Sequence, residues 1–107
     1  MSDRELLELA AKSAGIRINY WVYDNDDDSP SVLESGGIWN PLTDDGDALR
    51  LAVKLGLTIQ HLTANEEVVV SSYSGSSEAY EFYLSDPCAA TRRAIVRAAA
   101  EIGRNMP

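Results

Sequence analysis

The spacing of apolar and polar residues predicts that the chain begins with a helix followed by a strand. Residues 3–14 are rich in Leu and Ala, Ser2 and Glu5 form a capping box in front of them, and Gly15 supplies a stop. Residues 16–23 alternate with a period of two, which is typical of a strand. One face of this strand holds Ile16, Ile18, Tyr20 and Val22, and the other holds Arg17, Asn19, Trp21 and Tyr23. Trp21 and Tyr23 are core residues if both faces are covered and a binding surface if one face is open.

Residues 24–41 interrupt this regular pattern. They are rich in Asp, Ser, Gly and Pro and keep neither period, so we predict a long loop. A loop of this length in a compact domain is usually functional or mobile. Trp39 lies within it, and an aromatic residue in a polar loop either plugs the core or meets a partner; the sequence favours the plug.

A second helix and three strands follow the loop. Asp44 and its acidic neighbours suit the start of a helix that Gly56 ends. The segments 57–62, 67–73 and 78–84 are of β type, and their connections are short enough for hairpins. These three strands are therefore predicted to form an antiparallel meander.

The chain closes with a third helix. Asp86 is its N-cap, Pro87 takes the first helical position, and the apolar stripe ends at Gly103. The order αβαβββα predicts a single α+β domain over residues 1–107. In it, helices pack on a small, mainly antiparallel sheet as an α/β sandwich.

The net charge of −8 belongs to one segment of the sequence. Residues 1–23 and residues 48–107 each hold equal numbers of acidic and basic residues. Residues 24–47 hold no basic residue and eight acidic ones: Asp24, Asp26, Asp27, Asp28, Glu34, Asp44, Asp45 and Asp47. Such a segment repels phosphate backbones and anionic lipid and attracts cationic partners. We therefore expect binding neither to nucleic acid nor to a membrane.

The acidic segment contains two groups of different character. Asp44 to Asp47 have a local explanation, since carboxylates at a helix start act as caps and interact well with the helix dipole. The run from Asp24 to Asp28 has none. It fails as a calcium loop, because the sixth and twelfth positions, which need Gly and Glu, are Ser29 and Ser35. A solvated loop is the plain interpretation of this run, and weak divalent-ion binding and a contact surface for a basic partner are the alternatives. As a contact surface, the predicted partner-binding residues are Asp24, Asp26, Asp27 and Asp28, with Trp39 and Asn40 at the other end of the loop.

The last helix carries the basic cluster of the chain. Arg93, Arg97 and Glu101 follow at four-residue steps, which predicts a solvent-facing row. Because Arg suits bidentate contact with phosphate, Arg92, Arg93 and Arg97 form an alternative anion site.

A single cysteine and a single histidine limit the remaining chemistry. Cys88 and His61 cannot build a His/Cys zinc site, and we predict no metal or cofactor. Cys88 falls at helical spacing with Arg92 and Ile95, which predicts a buried structural thiol; a Cys–His nucleophilic pair is the enzymatic alternative. One cysteine excludes an intrachain disulfide, and no basic leader precedes an apolar stretch at the start of the sequence. Both observations predict a cytoplasmic location.

Two stretches of the sequence resemble a family of small phage and prophage proteins, the phage ABA sandwich domain, close to the NinX-like prophage proteins. They are the run from Trp39 to Asp45 before a short helix, and the helix start from Asp86 to Ala90 with the following Arg92 to Ile95. The resemblance covers most of the chain from residue 15. It implies helices packed on a small sheet and an accessory role in the host cytoplasm, and it implies no reaction.

Three functions are consistent with these observations. The first is an interaction protein that binds and modulates a host protein through the acidic segment. The second is a small-molecule binder, such as a nucleotide-signal sponge in an anti-defence role, that uses the Arg row or the interface of a homo-oligomer. The third is a small enzyme, which rests on unassigned carboxylates and on the pair of Cys88 and His61.

Overall fold

A computed structural model describes residues 2–21 and 31–107. The elements are α1 (Asp3–Ala14), β1 (Ile18–Trp21), β2 (Ser31–Leu33), β3 (Ile38–Trp39), α2 (Asp45–Leu55), β4 (Thr58–Leu62), β5 (Glu67–Ser71), β6 (Glu78–Phe82) and α3 (Pro87–Arg104), with a 3-10 turn at Thr63–Asn65. The predicted α+β class is confirmed. All three helices and the three strands of the meander lie where the pattern places them.

Local chemistry determines where the helices begin and end. The side chains of Ser2, Asp44 and Asp86 each accept a hydrogen bond from the backbone N–H three residues later, at 3.2, 2.8 and 3.0 Å. Gly15 and Gly56 follow α1 and α2 with φ of 68° and 63°, a left-handed conformation that glycine adopts without strain. The capping residues and the terminal glycines can be recognised in the sequence, which is why the helix bounds are predictable.

The strands form two sheets, whereas the sequence predicts one. Each is antiparallel and three-stranded, in the order β1-β2-β3 and β4-β5-β6. The loop predicted over residues 24–41 is wrong where β2 and β3 lie, because strands of three and two residues are too short to show a period of two. The predicted loop at residues 24–30 and the predicted strand positions 22 and 23 lie outside the described residues.

A bulge in β1 changes which of its side chains face the core. Ile18 pairs with Leu33 and Tyr20 with Val32, so the register shifts between Ile18 and Tyr20. Consequently Ile18 and Trp21 pack on the core, while Tyr20 is 55% exposed. The simple alternation predicted for this strand is therefore wrong, and the core interpretation of Trp21 is confirmed. The Arg4 guanidinium lies 4.7 Å from the Trp21 ring centroid.

Helix α3 organises the core by contacting α1, α2, β5 and β6. Most of its buried positions are alanines, which let neighbouring elements come close. The closest approach is between α3 and α1: a Cβ on Gly103 would lie 2.0 Å from the carbonyl oxygen of Leu9. Helix α3 also covers one face of the β4-β5-β6 sheet, where Val68, Val70 and Ala79 are buried.

Among the described residues, none of the helices combines the length and apolar character needed to cross a membrane.

Candidate functional site

Trp39 belongs to the core. It lies in β3 with 5% of its surface exposed, and its carbonyl accepts a 2.7 Å hydrogen bond from the buried Ser31 hydroxyl. The indole therefore holds the β1-β2-β3 sheet against the rest of the molecule. The plug interpretation is confirmed, and the ring presents little surface to a partner.

The two residues after Trp39 also have structural roles. The Asn40 side-chain oxygen accepts from the Leu42 N–H at 3.0 Å, closing an Asx turn. The Asn40 backbone N–H donates to Asp47 Oδ2 at 2.9 Å, and Pro41 is fully buried. The Trp-Asn-Pro signature is thus explained by packing and turn formation at the entrance to α2.

The acidic residues at the start of α2 are neutralised by arginines. Asp44 is the N-cap, Asp47 Oδ1 lies 2.7 Å from the Arg50 guanidinium, and Asp45 Oδ1 lies 2.6 Å from Arg92. Arg92 also donates to a backbone carbonyl at 2.8 Å, which ties α3 to the turn before α2. The local explanation of these carboxylates is confirmed, and Asp45 and Asp47 are committed to contacts within the protein.

Replacing Asp47 with alanine should lower the free energy of unfolding by about 1–3 kcal/mol, since it leaves the half-buried Asn40 N–H without its acceptor. Urea unfolding followed by circular dichroism measures the loss. Glu101→Ala is the control, because it breaks only an exposed pair with Arg104 and should cost less than about 1 kcal/mol. Equal losses in the two variants would contradict the buried role of Asp47.

Each arginine of the predicted anion site has a carboxylate neighbour. Arg92 pairs with Asp45, and Arg93 Nη2 lies 3.1 Å from Asp3. Arg97 pairs with Glu81 and donates to the Tyr80 carbonyl at 2.9 Å. Arg93 and Arg97 line a groove of about 460 Å³ that also includes Glu78, Glu81 and Glu101. An anion at these arginines would compete with carboxylates already in place.

Cys88 is exposed, so the predicted buried thiol is wrong. The physical reason is that α3 begins before it reaches the core, and its first buried residue is Ala90. Cys88 and His61 line the same apolar groove of about 260 Å³ between α2, β4 and α3. His61 Nδ1 is held 2.6 Å from the Tyr83 hydroxyl.

Within residues 2–21 and 31–107, no group of three or more His, Cys, Asp or Glu is placed to hold a metal ion.

The face of the β4-β5-β6 sheet opposite α3 was not anticipated from the sequence. Because side chains alternate along a strand, the neighbours of buried Val68, Val70 and Ala79 point away from α3. Cross-strand pairing places Gln60, Val69 and Tyr80 in one row and Leu62, Glu67 and Phe82 in the next. We call this surface the open face; its members are Thr58, Gln60, Leu62, Glu67, Val69, Ser71, Glu78, Tyr80 and Phe82.

The open face is aromatic and acidic. Tyr80 is 56% and Phe82 58% exposed, and their rings meet edge to face with centroids 6.4 Å apart. Between Lys54 and Arg92 the sequence contains no Lys or Arg. In that interval it contains five acidic residues, namely Glu66, Glu67, Glu78, Glu81 and Asp86. Two of them, Glu67 and Glu78, lie on the open face. The zero charge of residues 48–107 therefore hides an uneven distribution along the sequence, with the carboxylates of the meander before the arginines of α3.

The predicted partner-binding residues Asp24, Asp26, Asp27 and Asp28 lie outside the described residues.

Comparisons of the chain with protein-family models, with curated proteins and with solved structures gave no match. The resemblance to the phage ABA sandwich family stays a prediction. The signals available for a functional interpretation are therefore the charge distribution and the exposed side chains of this chain itself.

Proposed function

We propose that this protein acts by binding, and that it modulates a basic host protein through the acidic segment that contains Asp24 to Asp28. The observation that carries the proposal is the distribution of charge. Four of the eight net negative charges come from Asp24, Asp26, Asp27 and Asp28, with no basic residue near them in sequence. A run of carboxylates with no basic residue near it in the sequence is expected to attract cationic surfaces and to accelerate their association.

The other acidic residues of the segment support this assignment by contrast. Asp45 and Asp47 pair with Arg92 and Arg50, so each of these carboxylates already has a cationic partner within the protein. Glu34 is exposed and adds to the acidic character after the run. We therefore assign the partner-binding charge to the part of the sequence from Asp24 to Glu34.

The accessory role in a phage or prophage belongs to the same proposal and rests on the sequence resemblance. A small protein made in an infected cell can alter a host process without chemistry of its own if it occupies a basic surface. An acidic protein of this size is suited to surfaces that otherwise meet nucleic acid, because both present closely spaced negative charges.

The test is capture from bacterial lysate on the immobilised protein, quantified by mass spectrometry. The variant Asp24→Asn/Asp26→Asn/Asp27→Asn/Asp28→Asn should recover its basic partners at least about tenfold less well, because four charges are removed from the contact. The matched control removes four charges outside the acidic segment: Glu5→Gln/Glu8→Gln/Glu66→Gln/Glu101→Gln. Equal recovery by both variants would reject the acidic segment as the binding site.

A further inference from the structure

We infer that the open face is a second docking surface, and that it takes a segment of the partner protein in which arginine or lysine is interleaved with apolar residues. The inference rests on the proposed function, because it names a surface and a chemistry for the same basic partner. The exposure of the aromatic side chains is the first observation. Tyr80 and Phe82 are each more than half exposed on an ordered strand, in edge-to-face contact.

The apolar area extends beyond these two rings. Val69 lies beside Tyr80, and Leu62 lies in the row of Phe82. Both are half-buried, yet neither is among the side chains packed on the core. Leu62, Val69, Tyr80 and Phe82 thus form an apolar strip with a member on each of the three strands, and Gln60 and Glu67 fill the remaining positions of the two rows. A partly exposed apolar strip with polar neighbours is typical of an interaction site.

The charge of the open face selects the kind of partner. Glu67 lies in the row of Phe82, and Glu78 lies two residues before Tyr80 on the edge strand, where it also borders the groove lined by Arg93 and Arg97. None of the nine residues of the open face is basic. Arginine complements this combination well, since its guanidinium can stack on an aromatic ring and pair with a carboxylate at once. The apolar residues of the segment would cover the apolar strip beside the rings.

The same charges argue against a second copy of this chain as the occupant. Two open faces brought together would place Glu67 and Glu78 of each copy within a Debye length of the other's, about 8 Å at physiological salt. Each copy also has a net charge of −8. Repulsion between the copies would oppose the apolar contact. A cationic segment, in contrast, would be stabilised both by the apolar contact and by attraction to the carboxylates.

The experiment selects peptides from a random display library on the immobilised full-length protein. The enriched peptides should carry Arg or Lys together with apolar or aromatic residues. Fluorescence anisotropy then measures the Kd of one enriched peptide for each variant. Tyr80→Ser/Phe82→Ser should weaken binding at least about tenfold, because hot-spot aromatics dominate such contacts. Glu67→Gln/Glu78→Gln should weaken it about threefold or more at low salt.

Tyr73→Ser is the matched control, because Tyr73 is 95% exposed in the turn between β5 and β6 and lies outside the open face. Its Kd should equal that of the unchanged protein. All the changed side chains are exposed or at the surface, so an unchanged melting temperature separates lost binding from lost folding.

Three results would overturn the inference. They are the absence of any enriched peptide, enriched peptides without cationic residues, and a Kd that is unchanged in the Tyr80→Ser/Phe82→Ser variant. A dimer in sedimentation velocity that Tyr80→Ser/Phe82→Ser abolishes would instead assign the face to a second copy. The outcome is independent of the lysate test. Loss of capture with the Asp24 to Asp28 variant would leave the proposed function standing even if the open face selected no peptide.

Discussion

Replacing Trp39 with alanine should lower the free energy of unfolding by about 3–5 kcal/mol. The indole is 5% exposed at the core, and no other side chain of the two-residue strand β3 is buried. Its removal leaves a cavity and loosens the attachment of the β1-β2-β3 sheet. Urea unfolding followed by far-ultraviolet circular dichroism measures the effect without relying on the lost fluorophore.

Ile38→Ala is the control for this prediction. Ile38 is the other residue of β3 and is 67% exposed, so its truncation should change the free energy of unfolding by less than about 0.5 kcal/mol. A loss below about 1 kcal/mol for Trp39→Ala would contradict its role as the plug of the core.

Gly103→Ala is expected to destabilise the protein by about 3 kcal/mol, although helix propensity alone predicts a gain of about 1 kcal/mol for alanine. The added Cβ would lie 2.0 Å from the carbonyl oxygen of Leu9, and backbone cannot move aside as a flexible side chain can. The two effects have opposite signs. The sign of the measured change therefore decides between them.

The control for Gly103 is Gly37→Ala. Nothing lies within 4 Å of a Cβ at Gly37, and its φ is outside the left-handed region, so the change should be close to neutral. Thermal unfolding of both variants provides the comparison. A stabilised Gly103→Ala protein would show that α1 and α3 are further apart than the structure places them.

The helices could be predicted because their signals are local. A cap, its partner three residues later and a terminal glycine lie within one turn of each helix end, as at Asp44 and Gly56. The meander could be predicted for a similar reason, since hairpins connect neighbouring strands. The β1-β2-β3 sheet could not, because β2 and β3 are short and β2 pairs with a strand on the far side of residues 22–30. The bulge at Ile18 to Tyr20 is likewise set by that pairing.

The candidate sites were harder to predict than the fold. The partners of the arginines are distant in sequence: Arg93 meets Asp3 at a separation of 90 residues, and Arg92 meets Asp45 at 47. A sequence pattern shows that Arg93 and Arg97 share a helix face but not which carboxylates face them. The exposure of Cys88 similarly depends on where α3 meets the core.

The open face shows why the sum of charges over a segment can mislead. Residues 48–107 sum to zero, yet the sequence between Lys54 and Arg92 contains five acidic residues and no Lys or Arg. The signal that this sum hides is the absence of Lys and Arg between Lys54 and Arg92. Together with Glu67, which pairs with Phe82 across the meander, it extends the acidic character of the protein from one segment to a second surface.

The most direct test of the central claim is the salt dependence of affinity for a captured basic partner. The Kd should rise steeply between about 50 mM and 500 mM salt for the unchanged protein, because salt screens the attraction between opposite charges. The variant with Asn at positions 24, 26, 27 and 28 should bind more weakly at low salt and show a shallower dependence. Identical Kd values and slopes for the two proteins would contradict binding through the acidic segment.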